Sequence, residues 1–101
     1  MHPFDAARPW ALHPQVTLRP EPFGALAYHF GTRRLSFLKS ATLVGVVERL
    51  TEEPTARAAC LSAGVSPAEL TTYEHALATL ADSGMICRRE PSAPATGEGP
   101  P

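Results

Sequence analysis

The segments ALAYHF (25–30) and RRLSFLK (33–39), divided by Gly31-Thr32, constrain the fold more than any other part of this chain. A glycine at the first of two loop positions suits a type II′ hairpin turn, whose twist matches that of its flanking strands. That turn fixes a register, and the side chains can be checked against it. Phe30 falls opposite Arg33, Tyr28 opposite Leu35 and Leu26 opposite Phe37 on one face. His29 falls opposite Arg34, Ala27 opposite Ser36 and Ala25 opposite Leu38 on the other. Large apolar side chains meet on the first face, while the second is small or polar. A slip of one residue destroys this sorting. The expectation is a hairpin whose large apolar face is covered by helices.

QVTLR (15–19) alternates in the same manner and adds a strand, with Val16 and Leu18 on one face. Pro20, Pro22 and Gly24 turn the chain between that strand and the hairpin. Ser40 caps a helix carrying Leu43, Val46, Val47 and Leu50 at i, i+3, i+4 and i+7. TARAACLSAG (55–64) reads as a short second helix closed by Gly64. Ser66 and Glu69 form a capping box around Pro67, and Val65 and Leu70 a hydrophobic staple, at the start of a third helix. Leu70, Tyr73, Leu77 and Leu80 make its buried stripe, and Gly84 stops it. MIC (85–87) can add a short extended piece.

The order β-β-β-α-α-α defines an α+β, winged-helix-like domain, a three-stranded antiparallel sheet followed by three helices. Residues 1–13 lack a sustained period and read as a flexible N-terminal arm pinned at Trp10 and Leu12; residues 14–88 form the domain. Residues 89–101, rich in Pro and Gly with no large apolar side chain, read as a disordered tail.

With 101 residues and 44% apolar composition, the chain can bury one small core but not a deep active-site cavity. No apolar run approaches a membrane span and no secretory signal opens the chain, so a cytoplasmic location is expected. His2, His13, His29 and His75 are scattered, and His29 is expected on the solvated face of the sheet. Cys60 and Cys87 match no metal-ligand spacing and read as structural. No nucleophile with its base, phosphate loop or metal set is present, so the expectation is a protein with no catalytic, cofactor or metal residues of its own.

Two binding functions remain. Residues 57–77 resemble a helix-turn-helix, the mark of a DNA binder. Yet residues 66–83 carry Glu69, Glu74 and Asp82 with no Arg or Lys, a surface that repels phosphates. The third strand, as the sheet's edge, instead offers unpaired backbone groups to an extended peptide. Arg33, Arg34 and Lys39 on it are equally compatible with a guard against aggregation.

HPQVTLRPEPFGALAYHFGTRRLSFLKS (13–40), with LxxLxxSGMI closing the third helix (77–86), resembles the mycofactocin precursor-peptide chaperones, the MftB family. These are PqqD-like recognition elements of ribosomally made, modified peptides (RiPPs). The resemblance implies a non-catalytic chaperone that binds the leader segment of a short precursor peptide. It delivers the peptide to a radical S-adenosylmethionine (radical SAM) maturase, which decarboxylates a C-terminal tyrosine oxidatively and links it to the neighbouring valine. The iron–sulfur clusters belong to that enzyme. By the same resemblance the leader lies along Arg33, Arg34, Leu35, Ser36, Phe37 and Leu38, with Tyr73, Ala76, Leu77 and Leu80 as the helical wall. Main-chain bonds are made by Leu35 and Phe37, or by Ser36 in the other register; Leu77 and Leu80 stand equally well as pure core. The maturase would touch the side of the first two helices, near Arg49 and Arg57.

Overall fold

A computed structural model describes residues 4–89 of the chain. Its elements run β1 (Trp10–Leu12), β2 (Val16–Glu21), β3 (Gly24–His29), β4 (Leu35–Leu38), α1 (Ala41–Arg49), α2 (Ala56–Ser62), α3 (Leu70–Asp82) and β5 (Ile86–Arg88). Strands β2-β3-β4 form an antiparallel sheet, and β1 pairs with β5 in a second, two-stranded one. The architecture is α+β, with α1 against the three-stranded sheet, α2 against α1, and α3 against α2 and β5.

The β3–β4 register is the one the side chains demand: Ala25 faces Leu38, Leu26 faces Phe37, Ala27 faces Ser36 and Tyr28 faces Leu35. The turn differs. Arg33 N–H donates to the His29 carbonyl at 2.7 Å, and Arg33 rather than Gly31 has the positive φ, 64°. The loop is therefore a four-residue one, Phe30 to Arg33, closed by a left-handed residue, and not a type II′ turn. His29 is not solvated but 4% exposed, and its Nδ1 accepts N–H bonds from Gly31 at 3.0 Å and Thr32 at 3.1 Å. This side-chain bracket competes with the tighter turn, and its signal was the histidine itself.

The buried face is the opposite of the expected one. Ala25, Ala27 and Leu38 are each 1% exposed, whereas Leu35 is 57%, Phe37 59% and Phe30 58% exposed. Helix α1 packs on β3 and β4, and fills the interior with Leu43, Val46, Val47 and Leu50. Alanines on β3 leave room for those side chains, and a second layer of aromatic rings would overfill so small a core. Alternation sorts the two faces but does not say which of them points inward.

Helix α1 starts as expected, Leu43 N–H donating to Ser40 Oγ at 3.0 Å; α2 is capped likewise by Thr55 through Ala58 N–H at 3.0 Å. The third helix departs from expectation. Residues 67–69 form a 3-10 turn, and Ser66 Oγ bonds the Glu69 carboxylate at 3.3 Å instead of capping a backbone N–H. Leu77 and Leu80 are buried, and Leu70 and Tyr73 pack partly against the core.

The segment expected to be an arm is packed from Phe4 onward. Trp10 is 3% exposed and its Nε1 donates to the Asp5 carbonyl at 2.9 Å. The carbonyls of Arg8 and Ala6 accept the Ala56 and Arg57 N–H groups, at 3.0 and 2.9 Å. Those two donors are orphans of the α2 N-terminus, which explains why a segment without periodicity is held in place. Arg89, assigned to the tail, donates from Nε to the Trp10 carbonyl at 3.1 Å and through its Nη2 to the carbonyls of Leu50 and Glu53. The rest of that tail lies outside the described residues.

Gly24 opens β3 at φ 147°, and a Cβ there would run into the Leu38 carbonyl oxygen. Gly24→Ala is expected to lower stability by more than about 2 kcal/mol, through strain and displacement of the β4 end. Urea unfolding checks this; an unchanged midpoint would contradict the close approach.

Candidate functional site

Among the described residues, strand β4 has a neighbour on one side only. In an antiparallel pair, residues alternate between exchanging both main-chain bonds with the partner and exchanging none. His29 N–H donates to the Arg34 carbonyl at 3.0 Å, so the bonded pairs are 29 with 34, 27 with 36 and 25 with 38. Ser36 and Leu38 therefore bond inward to β3. Leu35 and Phe37 turn their N–H and C=O groups outward. Of the two registers the sequence left open, the fold has the one led by Leu35 and Phe37, and Ser36 cannot serve an added strand as a donor.

The other sheet edge, β2, is much less receptive. By the same alternation Val16, Leu18 and Pro20 face outward there, since Phe30 N–H bonds the Gln15 carbonyl at 2.8 Å. Val16 N–H is already taken by the His13 carbonyl at 2.9 Å, and Pro20 has no N–H at all. Proline on an edge is a standard block to pairing.

Beside β4, two adjoining depressions of about 320 and 370 Å³ share Lys39, Leu43 and Ala76. They form a groove with β4 as one wall, α3 as the other and Leu43 of α1 on the floor. Glu69, Thr72 and Tyr73 line one end; Ser36, Phe37, Thr79 and Leu80 line the other. Ala76 keeps the helical wall low between Tyr73 and Leu80.

Of the expected contact residues, Ser36, Phe37, Tyr73, Ala76 and Leu80 border this groove. Leu35 lies on the edge with its side chain exposed. Arg33 and Arg34 stand exposed where the hairpin loop enters β4. Leu38 and Leu77, 1% and 0% exposed, belong to the core, and the side chain of neither is open to a peptide. The groove also draws on Lys39, Ser40, Leu43, Glu69, Thr72 and Thr79, none of which the sequence reading counted among the contact residues. Positions 69, 72, 76 and 79 recur at helical spacing, offset from the core stripe at 70, 73, 77 and 80. That second stripe was the available signal.

The electrostatics are lopsided. Residues 22–47 carry Arg33, Arg34 and Lys39 and not one carboxylate. Helix α3 has no Arg or Lys, and its Glu74 pairs with Arg57 at 2.9 Å, which pushes the guanidinium pKa up. Arg49 Nη1 donates to its own helix at the Gly45 carbonyl, 3.2 Å away. The two cations first associated with maturase contact are thus engaged locally. Among the described residues, no group of three His, Cys, Asp or Glu side chains gathers as for a metal, and no helix is long and apolar enough to cross a membrane.

These features define a small α+β domain built around an open sheet edge and the groove beside it. The chain belongs to the Peptide chaperone MftB family, whose model matches residues 9–87. It is 55% identical over 87 residues to the protein named Peptide chaperone MftB of Mycobacterium tuberculosis, covering 86% of this chain and 80% of that one. Its counterpart of the same name in Mycolicibacterium smegmatis is 52% identical over 88 residues, covering 87% and 86%. No solved structure gives a significant match.

Burial raises the pKa of the Cys60 thiol to about 11, with the Glu74 carboxylate adding to the effect, and burial raises that of Cys87 too. Both are then poor nucleophiles at neutral pH. In a Cys87→Ser variant, alkylation of Cys60 by iodoacetamide at pH 8 is expected to be at least about 100-fold slower in the native protein than in urea. Because the folded thiol ionises later than the unfolded one, this group's contribution is intact below about pH 9 and is lost as pH rises toward 11. Equal alkylation rates would place Cys60 outside the core.

Proposed function

We propose that this chain is a non-catalytic chaperone that takes up the leader of the mycofactocin precursor peptide as a fourth strand on β4 and hands it to a radical SAM maturase in the cytoplasm. One observation carries the reading: Leu35 and Phe37 turn their main-chain groups outward directly beside the β4–α3 groove. An added strand would satisfy those groups and set every second side chain into the groove, the usual division of labour in β-augmentation. Arg33 and Arg34 meet acidic groups at one end of the peptide, and Lys39 at the other. Apolar leader residues reach Leu43, Ala76 and Leu80. Membership of a peptide-chaperone family supports the same role.

The DNA-binding alternative loses ground on the same geometry. A reader helix needs cations and amides toward base edges, and α3 exposes Thr71, Thr72, His75, Thr79 and Asp82.

Proline substitutions separate the edge from the ladder. Phe37→Pro removes an outward N–H and is expected to fold, while calorimetric affinity for the leader peptide falls about tenfold or more. Ser36→Pro removes a bond to β3 and is expected to destabilise the domain by roughly 3 kcal/mol. Unchanged leader affinity in a folded Phe37→Pro protein would reject β4 as the dock. Arg34→Glu is expected to weaken leader binding about three- to tenfold at low salt and less at high salt, with stability unaffected. Salt-independent, wild-type affinity would remove Arg34 from the site.

A further inference from the structure

The outer face of the sheet is left bare by all three helices. Phe37 and Leu35 on β4 lie beside Leu26 and Tyr28 on β3, and Phe30 continues the row. Phe23 packs edge-on against Phe37, with ring centroids 5.7 Å apart, and Tyr28 edge-on against Phe30 at 5.1 Å. Contiguous apolar surface of this kind marks an interaction site rather than scattered exposure. The leader groove opens on the helical side of β4 and shares only Phe37 with this face.

Charge narrows the occupant. Arg33 and Lys39 flank the apolar row of β4 at its two ends. Arg34, opposite His29, alternates to the other face, and Lys39 also borders the groove. No carboxylate lies between residues 22 and 47. Arg19, on the same face, is paired with Glu21 at 3.5 Å. A second copy fits badly: antiparallel pairing of β4 with its own equivalent would set Arg33 and Arg34 alongside Lys39 of the other copy, like charge against like. A lipid surface fits badly too, because three cations fall short of the basic clusters that hold a protein to anionic membranes. What fits is a folded protein presenting apolar side chains ringed by carboxylates.

We propose that this aromatic outer face is the docking surface for the enzyme that receives the peptide, a folded partner with an acid-rimmed apolar patch. The inference rests on the chaperone reading above and adds the surface. It also gives cargo a way to be sensed. A leader strand added at β4 turns its alternate side chains outward, beside Leu35 and Phe37, and so widens the same face. A partner seated there touches chaperone and cargo together and binds the loaded form more tightly, and reciprocally.

The test titrates the purified radical SAM maturase and, separately, the leader peptide into wild-type protein and a Phe23→Ser/Phe30→Ser variant. Neither phenylalanine lines the groove or belongs to β4, and both are exposed, so thermal unfolding should be unchanged. The proposal expects leader affinity within about twofold of wild type, maturase affinity down at least about tenfold, and wild-type maturase affinity raised by saturating leader. Unchanged maturase affinity in the variant overturns it, and so does a loss of leader binding, which would assign the face to the peptide. Wild-type protein that binds leader but not maturase overturns this inference while leaving the leader site standing; failure with both takes down the chaperone reading as well. Sedimentation showing a wild-type dimer and a monomeric variant would give the face to a second copy. Variant-sensitive binding to phosphatidylglycerol vesicles with maturase affinity unmoved would give it to a membrane.

Discussion

Two alanines on the middle strand decide how this molecule is arranged. Ala25 and Ala27 stand under α1, and with Leu38 they make the inner face of the sheet almost flat. The helices supply the bulk: Leu43, Val46, Val47 and Leu50 from α1, with Leu77 and Leu80 from α3. Removing that much apolar surface from water is the main stabilising contribution available to a domain of this size. Its consequence is directional. The large side chains of the hairpin, barred from a filled interior, are displayed on the outer face instead.

The same arrangement leaves the sheet with two unlike edges. On β2, a proline and a turn bond remove two of three outward donors. On β4 they remain, between three cations and next to a groove floored by Leu43. An unprotected edge is a hazard that proteins usually cover. Leaving one open while blocking the other is consistent with use, and the proposed leader strand would complete the sheet. Arg33, Arg34 and Lys39 then have two roles: they discourage self-association and favour an acidic partner.

Much of this was legible in the residues and some was not. The hairpin register, first read from a turn that proved to be of another type, still held, because side-chain sorting permits only one register that pairs like with like. The helices followed from period and, for α1, from its Ser40 cap, whereas the capping box expected for the third helix did not form. Inside and outside, however, were exchanged, because alternation carries no sign. Volume was the missing argument, since helices already rich in Leu and Val have no room for Phe37 and Tyr28 beneath them. The β1–β5 pair was missed for a different reason. Three residues near each end of the domain meet across most of its length, and the bonds that hold residues 6–8 are to the N-terminus of α2, which no local pattern announces. In the candidate site, edge and helix wall were legible, whereas the floor at Leu43 was hidden among the core positions of its helix.

The most direct measurement is amide hydrogen exchange of β4, residue by residue, with and without the leader peptide. In the free protein the Leu35 and Phe37 amides, turned to solvent, should exchange fast, and those of Ser36 and Leu38, bonded to β3, should exchange slowly. Saturating leader should protect Leu35 and Phe37 and leave the other two as they were. Saturable binding with Leu35 and Phe37 still exchanging freely would contradict the account, because the peptide would then be held elsewhere and the open edge would not be its dock.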